Sequence, residues 1–352
     1  MTNVFINQIE TSVPDHDVHH KYIDYVSTHL KNDPPRKLFK RMAGRAQIEH
    51  RYSSLEPGEQ DQFLDERDFY RAGAFPNTQE RMKIYQRNVW ELARRTCDKL
   101  PQQELKKTTH IIVTSCTGFY APGLDFDVVR HYGLAPSTER TTIGFMGCSA
   151  AFNAMKMASH IVRSEPEAQV LMINAELCTL HLQDTENLEE LLSFLLFADG
   201  CAASLISSKP EGMEISRFRS AILPSSDQQL TWKIGQSGFD MVLSGQVPIS
   251  VTQYLPDLLP SILGDLPADD VESWAVHPGG RSILDAVQAS VGLLPQALDS
   301  SRKILREFGN MSSATVMFVL KEIMASHRSP GTGCALALGP GITAESMLFR
   351  LA

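Results

Sequence analysis

Met146-Gly147-Cys148-Ser149-Ala150-Ala151 is the stretch on which the reading of this 352-residue chain turns. A glycine permits a tight strand-to-helix turn. The run that follows, Ser149 to Arg163, is rich in Ala and Met and sets Phe152, Met155 and Val162 on one face, which predicts a helix. Cys148 then falls at a helix N-terminus, where free N–H groups and the helix dipole favour negative charge and predict a lowered thiol pKa. Small residues after the cysteine leave room for a substrate. Taken alone, the motif reads equally well as an inert cysteine buried in close helix–strand packing, because free Cys is among the most buried residue types.

Working outward, strands and helices alternate. Runs at His110–Ser115, Ala168–Ala175 and Cys201–Ser207 predict buried strands, and Asn77–Leu100 predicts a helix capped by Asn77 and followed by Pro101. The second half alternates in the same way, with a strand at Ser273–Val276, helices at Ser282–Val291 and Ser312–Met324, and closing strands at Cys334–Leu338 and Ser346–Leu351. Such alternation argues for layered α/β structure. The pattern is weakest between Pro210 and Ser226, so a soft boundary is expected there, dividing residues 1–215 from 216–352.

Two further motifs sit at strand or loop to helix junctions. His277-Pro278-Gly279-Gly280 follows a strand, and its unusual backbone lets an imidazole project from a strand end into a cleft; such a histidine pairs with a thiolate or donates to a thioester oxygen. Gly309-Asn310 precedes a helix. Asn310 reads either as an N-cap or as a second donor sharing one carbonyl oxygen with His277. A lone histidine or asparagine in such a place is most often structural. All three motifs in one chain, in the order Cys, His, Asn, point to covalent acyl chemistry.

These residues resemble the signature set of the type III polyketide synthases, the chalcone synthase-like family. GCSAA, HPGG with RSILDAV, GNMSSA, the closing Gly339-Pro340-Gly341, LLFADG and the strand-end Glu176 carry the resemblance across nearly the whole chain. TSCTGFYAPGLD and ELCTLH look more like the bacterial branch, including alkylpyrone and alkylresorcinol synthases. The resemblance implies a thiolase fold, two similar α/β halves in a five-layered αβαβα core, and a homodimer. It implies a catalytic triad of Cys148, His277 and Asn310, with Phe197 as gatekeeper. The second gatekeeper falls at Met241, cavity positions fall at Cys116, Cys178 and His181, and the family's glycine-rich loop at Ala337 to Gly341 lacks its first Gly and Phe. The methionine that crosses into the partner's cavity in plant members falls at Ala121. Basic CoA positions fall at Arg41 and Arg45, with Lys37 beside the third; a solvated basic face is the alternative.

The implied reaction is iterative: Cys148 takes an acyl group from a starter acyl-CoA, aliphatic by the bacterial motifs and Met241. Decarboxylation of malonyl-CoA then supplies the carbanion that extends it, and closure gives a pyrone or a resorcinol. No metal and no cofactor beyond the CoA substrates is expected. The composition sets outer limits. A net charge of -8 speaks against nucleic acid, which needs a basic face. No apolar run reaches membrane-spanning length, Met1–Glu10 lacks signal-peptide character, and six cysteines without a CxxC pair suit a reducing cytoplasm. The rival readings are a ketoacyl-ACP synthase of the initiation type, which shares fold and triad; a papain-like protease, whose local motifs do not fit; and an inactive acyl-CoA-binding homologue, which nothing in the sequence favours.

Overall fold

Local signals become elements for visible reasons. Asn77 accepts a hydrogen bond from the Glu80 N–H while the Glu80 carboxylate accepts from the Asn77 N–H, a closed capping box that starts the longest helix. The computed structural model describes residues 2–60, 64–326 and 330–351. The first half runs β1 (Val4–Ser12), β2 (His16–Asp17), α1 (His19–His29), α2 (Asp33–Arg45), β3 (Tyr52–Ser53), α3 (Thr78–Cys97) and α4 (Gln102–Leu105). It continues through β4 (His110–Ser115), α5 (Leu124–Tyr132), β5 (Glu139–Gly144), α6 (Ala150–Ser164), β6 (Val170–Leu177), α7 (Leu188–Phe194) and β7 (Asp199–Ser207). The second half runs β8 (Met213–Ile222), β9 (Leu230–Gly235), β10 (Gly238–Leu243), α8 (Val247–Leu263), β11 (Ser273–Val276) and α9 (Arg281–Val291). It ends with α10 (Asp299–Phe308), α11 (Thr315–Ser326), β12 (Gly331–Gly339) and β13 (Thr343–Leu351).

The strands lie in the order β11-β12-β13-β8-β1-β7-β6-β4-β5. That order contains the same unit twice. From β1 the neighbours β7 and β6 are antiparallel and β4 is parallel to β6; from β8 the neighbours β13 and β12 are antiparallel and β11 is parallel to β12. The units join through a short antiparallel ladder, Val4 to Ile6 of β1 against Met213 to Ile215 of β8. β8 occupies the stretch where the sequence pattern is weakest, and the expected division at 215/216 falls inside it. Its alternation is poor because most of its outer residues are half-exposed.

The layers follow from what each helix buries. Phe152, Met155 and Val162 of α6 and Val316, Val319 and Leu320 of α11 form one core with strand residues of both halves, among them Ile112, Met172, Ala335 and Met347. Helices α6 and α11 are thus the middle layer. α3 and α5 cover the outer face of the first sheet unit, and α8 and α9 cover the second, which makes five layers. Helix α8 is unreadable from sequence because Pro256 and Pro260 lie inside it, and proline ordinarily breaks a helix. Its buried Val247, Val251, Leu255, Ile262 and Leu263 hold it to the sheet. Among the described residues no helix is long and apolar enough to cross a membrane.

Candidate active site

The duplicated unit brings four functional loops together. The C-terminal ends of β4 and β11 carry Cys116 and His277, and the turns into α6 and α11 carry Cys148 and Asn310. These are equivalent positions of the two halves. Cys148 lies in a single 3-10 turn, Gly147–Ser149, that leads straight into α6. Gly147 has φ +58, and a Cβ there would collide with Cδ of Pro340. Only glycine tolerates that backbone and that neighbour. The Gly339-Pro340-Gly341 turn packs from behind, with Gly339 so close that a Cβ would collide with Oγ of Ser149. The turns that carry Cys148 and Asn310 each hold a non-glycine residue in the left-handed region, Phe145 at φ +54 and Ser312 at φ +49. Such conformations persist only where the surroundings over-determine them.

Asn310 is pinned by its backbone. Its N–H donates to the Leu196 carbonyl (2.8 Å), and its own carbonyl accepts from the Ala198 N–H (2.9 Å), so it forms a one-residue bridge alongside Phe197. Its side-chain Oδ1 accepts from the Ser312 N–H (2.9 Å), although the N-cap of the turn that follows is Met311 and not Asn310, and lies 4.0 Å from Sγ of Cys148. The amide nitrogen donates to the Gly279 carbonyl (3.3 Å). A Cβ on Gly279 would lie 3.9 Å from Nε2 of His277, so the imidazole stands beside the glycine whose carbonyl accepts from Asn310. His277 itself is 2% exposed, and neither ring nitrogen has a hydrogen-bond partner among the described residues. Burial pushes its pKa down to about 3. It is a neutral, unencumbered base or donor.

The thiol departs from expectation. Burial pushes Cys148 up to about 12, against the lowering effect of its hydrogen-bond contacts with Ser312 and Asn310, while the Glu176 carboxylate pushes it further up. Desolvation of a charge outweighs the helix-terminus effect here. Burial thus favours the neutral form of both the Cys148 thiol and the His277 imidazole. Glu176, legible in the sequence only as a strand end, is a buried hub. It accepts from the Cys116 N–H (2.9 Å), the Thr117 hydroxyl (2.8 Å) and the Ser313 hydroxyl (2.5 Å), so it joins both halves beneath the nucleophile. Burial raises its pKa to about 7 despite those donors.

The cavity in front of Cys148 is lined by Cys116, Cys178, Phe197, Met241, Trp232 and Pro340, among others. It is narrow, with about 40 Å³ open to a water-sized sphere. Of the residues expected on its wall, His181, Gly339 and Gly341 do not line it. His181 is fully buried one layer behind: it stacks on Phe239 at 4.1 Å, meets Trp232 edge-on, accepts from the Phe239 N–H and donates to the Thr117 carbonyl. It braces the β9–β10 hairpin, whose Trp232 donates to the Cys116 carbonyl (2.7 Å) and whose Met241 faces the cavity. Trp232 escaped sequence reading because nothing local marks that hairpin. Cys116 accepts from the Gly147 N–H (3.1 Å), which makes it a brace for the nucleophile turn. A second, larger groove of about 960 Å³ opens on the other side of Leu196, lined by Met42, Arg45, Gly279 and Gly280 among others. Arg45 thus stands on its wall; Lys37 and Arg41 lie on α2 and do not line it. Among the described residues there is no group of three or more His, Cys, Asp or Glu that could hold a metal ion.

Comparison with known proteins decides the family. The family "Chalcone and stilbene synthases" matches residues 3–210 through its N-terminal domain and 214–352 through its C-terminal domain. The chain belongs to this family, the type III polyketide synthases. It is 31% identical over 288 residues to the alpha-pyrone synthesis polyketide synthase-like Pks18 of Mycobacterium tuberculosis, covering 77% of this chain and 73% of that protein. Its fold, the thiolase fold, matches the C-terminal type III domain of the Dictyostelium type I/III hybrid Steely1 (TM-score 0.90, 23% identity, 99% of both chains). It also matches the I375W mutant of CsyB complexed with CoA-SH (TM-score 0.87, 21% identity, 99% of this chain and 100% of that one). As a member of this family the chain is an enzyme of the acyltransferase type.

Two outcomes test the electrostatics of this polyketide synthase site. The folded Glu176 carboxyl titrates near 7 instead of its ordinary 4.5, so the folded state holds a proton that the unfolded chain loses between those values. Its contribution to stability is complete below about 4.5 and is lost as pH rises through 7, a difference on the order of 3 kcal/mol. Urea titrations should therefore show wild type losing stability relative to Glu176→Gln across this window, with the gap flat above it; parallel curves throughout would contradict the assignment. If His277 takes the thiol proton during acyl transfer, acylation of Cys148 by an acyl-CoA, read by mass spectrometry at neutral pH, should be at least tenfold slower in His277→Ala. Equal rates would mean that His277 does not take the thiol proton.

Proposed function

We propose that the chain condenses malonyl-CoA units onto an aliphatic acyl-CoA starter held on Cys148, and that the extended chain closes to an alkylpyrone. The observation that carries this reading is the 4.0 Å approach of Asn310 Oδ1, on a residue bridged to Phe197, to Sγ of the part-exposed Cys148 in the cavity wall. The His277 imidazole, with neither nitrogen partnered among the described residues, supports it.

In this reading His277 accepts the Cys148 proton as Sγ attacks the starter thioester, and CoA leaves with that proton. Malonyl-CoA then binds through the outer groove with its thioester oxygen toward Nε2–H of His277 and Nδ2–H of Asn310. The carbon–carbon bond to the carboxylate breaks, carbon dioxide departs, and the electron pair moves onto the thioester as an enolate. Two fixed donors stabilise that oxyanion, each removal costing about 3 kcal/mol by analogy with other oxyanion holes. The enolate carbon attacks the acyl carbon on Cys148 and expels the thiolate, which is reloaded for the next round. An enol oxygen of the finished chain attacks its own thioester carbon, closing the lactone and releasing the thiol. The apolar cavity wall supports an aliphatic chain, and the alpha-pyrone synthesis for which the mycobacterial relative is named supports the pyrone.

Arg45, with Lys37 and Arg41 on the same helix, is assigned to the CoA phosphates, since guanidinium groups suit phosphate geometry; the CoA-bound relative supports this. The chemistry needs no cofactor beyond the CoA substrates. The edge strand β5, with exposed Phe119 and Met146 beside the nucleophile turn, is assigned to contact with a second copy. Six unpaired cysteines support a cytoplasmic setting. Residues 1–215 and 216–352 are read as the two duplicated halves.

Purified protein incubated with malonyl-CoA and a panel of straight-chain acyl-CoA starters should yield pyrone masses that vanish in Cys148→Ala, from a particle sedimenting as two 39.1 kDa chains. Absence of both carbon dioxide and condensed product with every starter would overturn the proposal, and a monomer would overturn the second-copy assignment.

A further inference from the structure

Helix α2 carries a face that the condensation reaction does not account for. Its thirteen residues include Arg36, Lys37, Lys40, Arg41 and Arg45 against the single acid Asp33, which is paired with Arg36. Among the described residues Lys37, Lys40, Arg41 and Arg45 make no ion pair, although the chain as a whole is at -8. At 100° per residue, Phe39 and Ala43 point inward and are buried, and Lys40, Lys37, Arg41 and Arg45 sweep across the outer face in that order. Leu38 (36% exposed) and Met42 (39%) form its far edge, the edge that borders the outer groove through Met42 and Arg45.

A CoA molecule brings its phosphates to the mouth of the groove and is served by cations near it. It has no use for two solvent-facing apolar side chains, nor for Lys40 on the opposite edge of the helix. Apolar residues flanked by unpaired cations are the composition of a protein-docking face whose partner is acidic. Beside this face lies a groove that ends at Gly279 and Leu196, against the residue that lines the reaction cavity. Gly279 on the groove wall accepts from Nδ2 of Asn310, whose Oδ1 lies 4.0 Å from Sγ of Cys148, so the groove wall stands one residue away from that thiol.

We propose that α2 docks a small acidic acyl carrier protein, which hands its acyl group from the phosphopantetheine thiol to Cys148. The acyl carbon leaves the carrier's sulfur for Sγ of Cys148, and the carrier's thiol takes the proton that Cys148 gives up. Acidic side chains of the carrier pair with Lys37, Lys40 and Arg41, and its apolar contacts cover Leu38 and Met42. This rests on the acyl-thioester reading of Cys148, not on the identity of the extender or the product.

The test is the rate of Cys148 acylation, read by intact-protein mass spectrometry without malonyl-CoA, so that it stands apart from condensation. The donors are a bacterial octanoyl-acyl carrier protein, octanoyl-CoA and octanoyl-pantetheine. Lys40→Glu is the diagnostic variant, because that residue neither lines the groove nor stands at a CoA position. The carrier-bound donor should acylate wild type at least tenfold faster than octanoyl-pantetheine at equal concentration. The variant should lose at least tenfold of that rate while its rate with octanoyl-CoA stays unchanged. A carrier-bound donor no faster than octanoyl-pantetheine, or an unchanged rate in the variant, would overturn the proposal, as would an equal loss with octanoyl-CoA. Normal acylation by octanoyl-CoA with no malonyl-derived product would instead count against the polyketide reading alone.

Discussion

The site depends on a buried carboxyl shared between two halves of the chain. Glu176 ends β6 in the first half and accepts from two residues at the end of β4, Cys116 and Thr117, and from Ser313 at the start of α11 in the second half. Each of those positions neighbours a functional one. Cys116 braces the Gly147 N–H, and Ser313 follows the Asn310 turn. A buried carboxyl with its donors in place fixes the distance between the two helix N-termini, and an unsatisfied one would be costly. The elevated pKa of Glu176 is the sign that this cost is only partly offset.

The reactivity of the cysteine follows from that arrangement. The turn that carries Cys148 is crowded by Pro340 and the Gly339 turn, and the thiol is enclosed enough that burial dominates its ionisation. Burial likewise favours the neutral form of His277, whose ring nitrogens have no hydrogen-bond partner among the described residues. In the proposed reaction a neutral thiol and imidazole avoid placing two charges in a poorly solvated pocket before a thioester is present. The backbone bonds of Asn310 to Leu196 and Ala198 tie it to the segment that carries Phe197.

Much of this is legible in the sequence. Cys148, His277 and Asn310 each stand at a strand or loop to helix junction, and such junctions carry local signatures: glycine for the turn, then an apolar period of 3.6. The buried strands of the core are equally plain, because His110–Ser115 and Ser273–Val276 are short apolar runs with clear ends. What is hidden depends on packing. The interior of α8 holds Pro256 and Pro260, which only tertiary contacts tolerate, and β8 alternates weakly because its outer face is half-exposed. The bracing role of His181 rests on Phe239 and Trp232, far along the chain, and no local pattern announces it. The expected lowering of the Cys148 pKa weighs the helix terminus without the depth of burial, and burial is the larger effect.

Where the acyl group rests decides whether Cys148 is the nucleophile. Purified protein should be mixed with octanoyl-CoA in the absence of malonyl-CoA, quenched in acid, digested and mapped by mass spectrometry. A nucleophilic Cys148 predicts one octanoyl thioester, on the peptide that contains it, formed as free CoA is released. An acyl group found on Cys116 or Cys178 instead, or no adduct while Cys148 remains a free thiol, would contradict it.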